Sequence, residues 1–147
     1  MKKFMKKKLG NEKGMTLIEL LAVIVILAII AAIAIPAIGN LIQNSRNGAV
    51  KADFQNAINS ANIYFTENPS DADATHTELK GTYLDDLGSL VEFTVTKGTA
   101  GASNTIVGKA SADKDATTIE YTITTGLTNK QLSSIENKAF VGTIVAP

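Results

Sequence analysis

The chain has 147 residues, enough for one domain, and a formal net charge of zero that conceals an uneven distribution. Six lysines (Lys2, Lys3, Lys6, Lys7, Lys8 and Lys13) precede residue 15 against one acid, Glu12, while the rest of the chain holds eight basic and thirteen acidic side chains. Without cysteine or tryptophan, and with His76 as its one histidine, the sequence excludes a disulfide framework, a thiolate metal site and a multi-histidine centre. The acidic body has no cationic surplus to attract phosphate, so direct nucleic-acid binding is not expected.

The first element is a long apolar segment. Every residue from Leu20 to Ile35 is Leu, Ile, Val or Ala, and no charge occurs between Glu19 and Arg46. From Met15 to Ile42 the only departures from apolarity are Thr16, Glu19, Pro36, Gly39 and Asn40. About 20 apolar residues suffice to cross a bilayer as a helix. The lysines before the segment keep the N-terminus cytoplasmic by the positive-inside rule, which sends the body outward. An ordinary signal anchor fits this much. So does a cleaved secretory signal peptide, with Ala32-Ile33-Ala34 as a small-x-small site. Against the signal peptide, the apolar run exceeds the roughly 7–15 residues of a usual apolar region, and an acid, Glu19, stands at its entrance.

The string Lys13-Gly14-Met15-Thr16-Leu17-Ile18-Glu19-Leu20 resembles the recognition sequence of type IV prepilins. The resemblance covers residues 13–65 and is strongest through Pro36. It implies cleavage between Gly14 and Met15 by a prepilin peptidase, followed by methylation of the new Met15 amine. It places the family's acid, at the fifth position after the cut, on Glu19, and its recurrent proline on Pro36. Two departures stand out: methionine replaces the usual phenylalanine after the cut, and the C-terminal cysteine pair of many Gram-negative pilins is missing. The second points toward Gram-positive relatives.

The resemblance also implies partners: further copies of the same chain in a filament, the prepilin peptidase, an inner-membrane assembly platform and a separate assembly ATPase. No cofactor or metal is expected, and no enzymatic activity. Physical chemistry gives Glu19 a task in this scheme. An ionised carboxylate in an apolar region is costly and normally has a partner. The free amine of a neighbouring subunit's Met15 would supply one, and opposite charges in low dielectric would fix the axial register between parallel helices. Thr16-Leu17-Ile18-Glu19 also fits the T-x-x-E capping box, in which Glu19 does no more than start the helix. The two roles are compatible.

Beyond Pro36 the apolar pattern becomes one-sided. Val50, Phe54, Ala57, Ile58, Ala61 and Phe65 share one helical face, and Asn47, Lys51, Gln55, Asn59 and Asn62 occupy others. Asn68-Pro69 supplies a stop. The expectation is one helix over 15–66 with a bend near Pro36, where a backbone donor is missing and Gly39 loosens the chain.

The remainder reads as a β-rich head. Val91, Phe93 and Val95 alternate with polar residues, as do Ile119, Tyr121 and Ile123; 105–110 and 140–145 are further strand candidates. Residues 98–104 form a loop between strands, and 131–138 a short helix. The expected fold class is α+β: a long N-terminal helix, membrane-spanning in its first half and amphipathic in its second, packed on a small antiparallel sheet. The domain reading is a removable leader at 1–14, a membrane or filament-core helix at 15–40, and a head at 41–147.

Chemistry for catalysis does not stand out. His76 sits in a polar Thr75-His76-Thr77 setting and reads as a surface residue. Asp71-x-Asp73 and Asp113-x-Asp115 hint at calcium, which similar secretion pseudopilins can bind, but neither continues into an EF-hand loop. The functional expectation is therefore a type IV pilus subunit. A pseudopilin of a secretion or competence system is the nearest alternative, and a non-polymerising secreted or membrane-anchored binding domain is the alternative from another class.

Overall fold

The computed structural model describes residues 16–111 and 120–146. The chain divides into two compact units, Met1–Asn40 and Leu41–Pro147. Helix α1 (Leu17–Glu67) supplies the described part of the first unit beyond Thr16 and the opening element of the second.

In the first unit α1 has no apolar partner among the described residues. Leu17, Ile18, Ile33 and Ile35 are each at least 70% exposed, which water would not tolerate over so many residues. The segment is long and apolar enough to cross a membrane. The helix continues through Pro36 without a break. Proline still lacks an amide hydrogen, so one rung of the ladder is missing there.

In the second unit the one-sided stripe is buried as its spacing predicts. Val50, Phe54, Ala57, Ile58, Ala61 and Phe65 all lie in the core, joined by Tyr64. They pack with a five-stranded sheet in the order β1-β2-β3-β4-β5: β1 (Asp73–Thr75), β2 (Leu90–Thr96), β3 (Thr105–Ala110), β4 (Tyr121–Thr128) and β5 (Gly142–Ile144). The first three pairings are antiparallel. The last, β4 with β5, is parallel, so the sheet is mostly rather than wholly antiparallel. The strand reached by 140–145 returns along the sheet after an intervening helix, a connection that allows parallel pairing.

The alternation in β2 is not followed throughout. Phe93 and Val95 are buried, but Val91 is 47% exposed and Leu90 takes its place in the core. The register shifts between Leu90 and Glu92, where two residues of β2 oppose one step of β3. That bulge turns Val91 outward. A second irregularity separates Ile106 from Gly108: their partners on β4 are Leu127 and Ile123, so residues 124–126 stand opposite Val107 alone, and all three are exposed. Ile119, read as the start of this strand, lies outside the described residues, whereas Tyr121 and Ile123 are buried.

Gly108, on β3, leaves no room for a side chain against β2. A Cβ there would stand 2.7 Å from both Glu92 O and Phe93 Cβ. Gly108→Ala is expected to cost about 1–3 kcal/mol, the usual range for overpacking, read as a lower melting temperature of the detergent-solubilised chain. An unchanged melt would show that the strands separate freely at this point.

Short helices begin at side-chain caps. The α2 helix (His76–Leu79) follows β1 directly, in a stretch to which the sequence reading assigned no element. Its Glu78 carboxylate accepts from Thr75 N at 2.8 Å and from the Thr75 hydroxyl at 2.7 Å. Those bonds hold the Glu78 carboxyl below its ordinary range. The helix expected over 131–138 begins earlier, as α3 (Asn129–Ser134), because Thr128 and Gln131 form a reciprocal cap. A 3-10 turn follows at Asn137–Ala139. The loop over 98–104 joins β2 to β3, with Asn104 Oδ1 accepting from Gly98 N at 2.7 Å.

At the end of α1 two tyrosines donate to carboxylates: Tyr64 to Asp71 at 2.6 Å, and Tyr83 to Glu67. The bond to Asp71 is the main reason the Tyr64 phenol is pushed up to about 12; burial and the charges of Asp71 and Glu78 add to it. Tyr83 is raised as well, chiefly by its bond to Glu67. An unfolded tyrosine ionises near pH 10. The folded chain binds these protons more tightly, so their stabilisation is complete below about pH 10 and is lost as pH rises toward the folded value. The melting temperature should fall over that interval, and less steeply in Tyr64→Phe. Equal slopes in the two proteins would contradict this account.

Candidate processing and assembly site

Gly14 and Met15, the residues of the expected cut, lie outside the described residues. The described chain begins at Thr16, immediately before α1, and the T-x-x-E pattern there forms the reciprocal cap that its spacing allows. Glu19 Oε2 accepts from Thr16 N at 2.7 Å and from Thr16 Oγ1 at 2.8 Å, while Thr16 Oγ1 accepts from Glu19 N at 3.3 Å. One carboxylate oxygen thus satisfies the Thr16 amide, a donor that a helix start leaves without an intrahelical partner, and the Thr16 hydroxyl as well. Glu19 Oε1 takes no part in these bonds. The carboxylate is held at the mouth of the apolar segment, in the first turn, where a negative charge also suits the helix dipole.

Pro36 lies well along the same helix, among exposed apolar residues. It is not part of the Thr16–Glu19 arrangement. What the two share is the helix itself: a charged first turn followed by an apolar length with a weakened rung.

The remaining sequence candidates fall elsewhere. His76 is half-buried rather than freely exposed, with its ring 6.2 Å from that of Phe93. The Asp71 carboxylate accepts the Tyr64 hydroxyl, and Asp113 and Asp115 lie outside the described residues. Among the described residues no group of three or more His, Cys, Asp or Glu side chains is placed to hold a metal ion.

Sequence reasoning missed one polar residue. Asn47, assigned to an outer face of α1, is 1% exposed. Its Oδ1 accepts from Tyr121 Oη at 2.8 Å and from Gln43 Nε2 at 2.9 Å, and its Nδ2 donates to Asn137 O at 2.7 Å. Helical spacing alone could have flagged it, since Asn47 lies three and seven residues before Val50 and Phe54 on the buried face.

Comparison with known proteins bears on the N-terminal arrangement alone. Residues 9–35 match the family described as the prokaryotic N-terminal methylation motif. No curated protein and no solved structure matches the chain. The matched stretch takes in Gly14, Met15, the Thr16–Glu19 cap and the apolar helix as far as Ile35, so the chain carries across residues 9–35 the signature shared by type IV pilins and pseudopilins.

Proposed function

We propose that this chain is the structural subunit of a type IV pilus. The observation that carries the reading is the methylation motif at residues 9–35 leading into a helix of membrane-spanning length and composition. In this reading residues 1–14 are a cytoplasmic leader, removed by a prepilin peptidase between Gly14 and Met15, and Met15 is N-methylated. Residues 15–40 hold the precursor in the membrane and then form the filament core. Residues 41–147 are the head displayed at the cell surface. Glu19 is the docking acid that meets the Met15 amine of a neighbouring subunit, and Pro36 is the point at which the core helix yields during packing.

Such a subunit polymerises with copies of itself. It depends on an assembly platform in the membrane and on a separate ATPase for the work of extrusion. Its role is structural rather than catalytic.

Electron microscopy of surface-sheared material, with antibody against the head, tests the reading. Long labelled fibres that vanish when the gene is deleted are the expected result. Deletion that abolishes protein secretion or DNA uptake, in cells that never show labelled fibres, would replace the pilus with a pseudopilin filament. Labelled monomer with neither fibres nor a transport defect would sink both.

A further inference from the structure

The polar residues flanking the buried stripe of α1 form a ladder. Asn47, Lys51, Gln55 and Asn59 recur every four residues, one per turn. Each meets a successive position in a single later segment. Asn59 Oδ1 accepts from Asn129 Nδ2 at 3.2 Å, Gln55 Nε2 donates to Ser133 Oγ at 2.8 Å, Lys51 Nζ donates to Ile135 O at 3.1 Å, and Asn47 Nδ2 donates to Asn137 O at 2.7 Å. The segment over 129–137 therefore runs antiparallel to the helix, held by side chains. The contact is close at its far end, where a Cβ on Gly48 would stand 2.8 Å from Asn137 Nδ2.

The same segment then delivers Phe140 and β5. Phe140 is fully buried, 6.2 Å edge-on from Phe54 and 6.0 Å from Tyr121 in a stacked arrangement. The β5 strand adds three residues to the sheet edge, in the one parallel pairing. The pairings from β1 to β4 connect strands adjacent in sequence. The segment over 129–144 also pairs with the strand before it, β4, but its contacts with α1 join residues 70 to 90 apart along the chain, whose closure carries a larger entropic cost. Of the four ladder residues only Asn47 is buried, and it alone also binds the sheet, through Tyr121. A buried polar group that loses its partner is left with the full cost of its desolvation.

We propose that residues 129–144 form a strap that opens and closes separately from the β1–β4 sheet, and that Asn47 is its latch. Local opening of this kind is a general property of folded chains, in which cooperative units differ in stability. Opening the strap withdraws Phe140 and uncovers Phe54 and Tyr121. Closing it restores the node of Asn47, Tyr121 and Asn137.

Hydrogen–deuterium exchange on the full chain in detergent micelles tests the proposal. In Asn47→Ala, exchange over 137–144 should accelerate at least tenfold, with a smaller change in β2 and β3. The chain has no cysteine, so a double variant, Gly48→Cys with Asn137→Cys, allows a single disulfide where helix and strap come close. Oxidation should slow exchange in the strap and leave β2 and β3 unchanged, and reduction should reverse the effect. Equal acceleration of all strands in Asn47→Ala, or none in the strap, would overturn the proposal. If Asn47→Ala fails to fold, the cross-linked pair decides alone. Strap exchange indifferent to oxidation would mean that the strap opens only when the whole head unfolds.

Discussion

Glu19→Ala is expected to be processed and inserted like the parent chain and yet to yield almost no surface polymer. The substitution removes the carboxylate that the proposed filament pairs with the Met15 amine of the next subunit. Removing one partner of a desolvated ion pair strands the other charge, at a cost of about 3–5 kcal/mol. At each docking step that is roughly a hundredfold or more in affinity. The cap at Thr16 is lost as well, but an exposed cap is worth only about 0.5–2 kcal/mol, and α1 has a whole apolar length to keep it helical in a membrane. Glu19→Gln separates the two effects: it keeps an oxygen for Thr16 N and loses the charge. Both variants should fail in sheared-fibre yield while accumulating in the membrane at normal levels. Full fibre yield from Glu19→Gln would reduce Glu19 to a capping residue.

The second large effect lies in the head. Phe54 is fully buried on the stripe of α1 and meets Phe140 edge-on. Phe54→Ala removes most of an aromatic ring from the junction of helix, strap and sheet, and cavities of that kind cost about 3–5 kcal/mol. Domain stabilities of about 5–15 kcal/mol leave little after such a loss. Denaturant titration of the solubilised chain should show a large fall in midpoint, with reduced head on the cell surface. A loss under about 1 kcal/mol would mean that the core closes over the gap. Ile63→Ala, on the same helix but 56% exposed, is the matching control and should have little effect.

What could be read from the sequence follows from how local each signal is. The helix was legible from end to end: an uninterrupted apolar run needs no partner to declare itself, and the later stripe repeats with helical spacing until Asn68-Pro69 ends it. The structure carries α1 to Glu67. The cap at Thr16 and Glu19 was equally local, since both residues lie within one turn. Strands β2 and β4 showed themselves through alternation, and β3 as a further strand candidate over 105–110.

The failures are non-local. Val91 reads as a core residue until the bulge opposite Lys109 and Ala110 turns it outward. The parallel direction of β5 depends on α3 and the turn after it, not on residues 142–144. The three-residue β1 is too short for any period to show, and it exists through its pairing with β2. Helical spacing could flag the burial of Asn47, but not its partners, since Tyr121 and Asn137 are 74 and 90 residues away. For the candidate site, the motif was legible in the string from Lys13 to Leu20. The docking role proposed for Glu19 concerns a second copy of the chain, to which no intramolecular spacing refers.

The most direct measurement is the intact mass and N-terminal sequence of the mature protein taken from the cell surface. A chain that begins at Met15 and carries one added methyl group is the predicted result, since it joins the motif at residues 9–35 to the chemistry for which that motif is named. A chain that begins at Ile35, after the small-x-small site, would contradict it: the apolar helix would be a discarded signal peptide, and no filament core would remain.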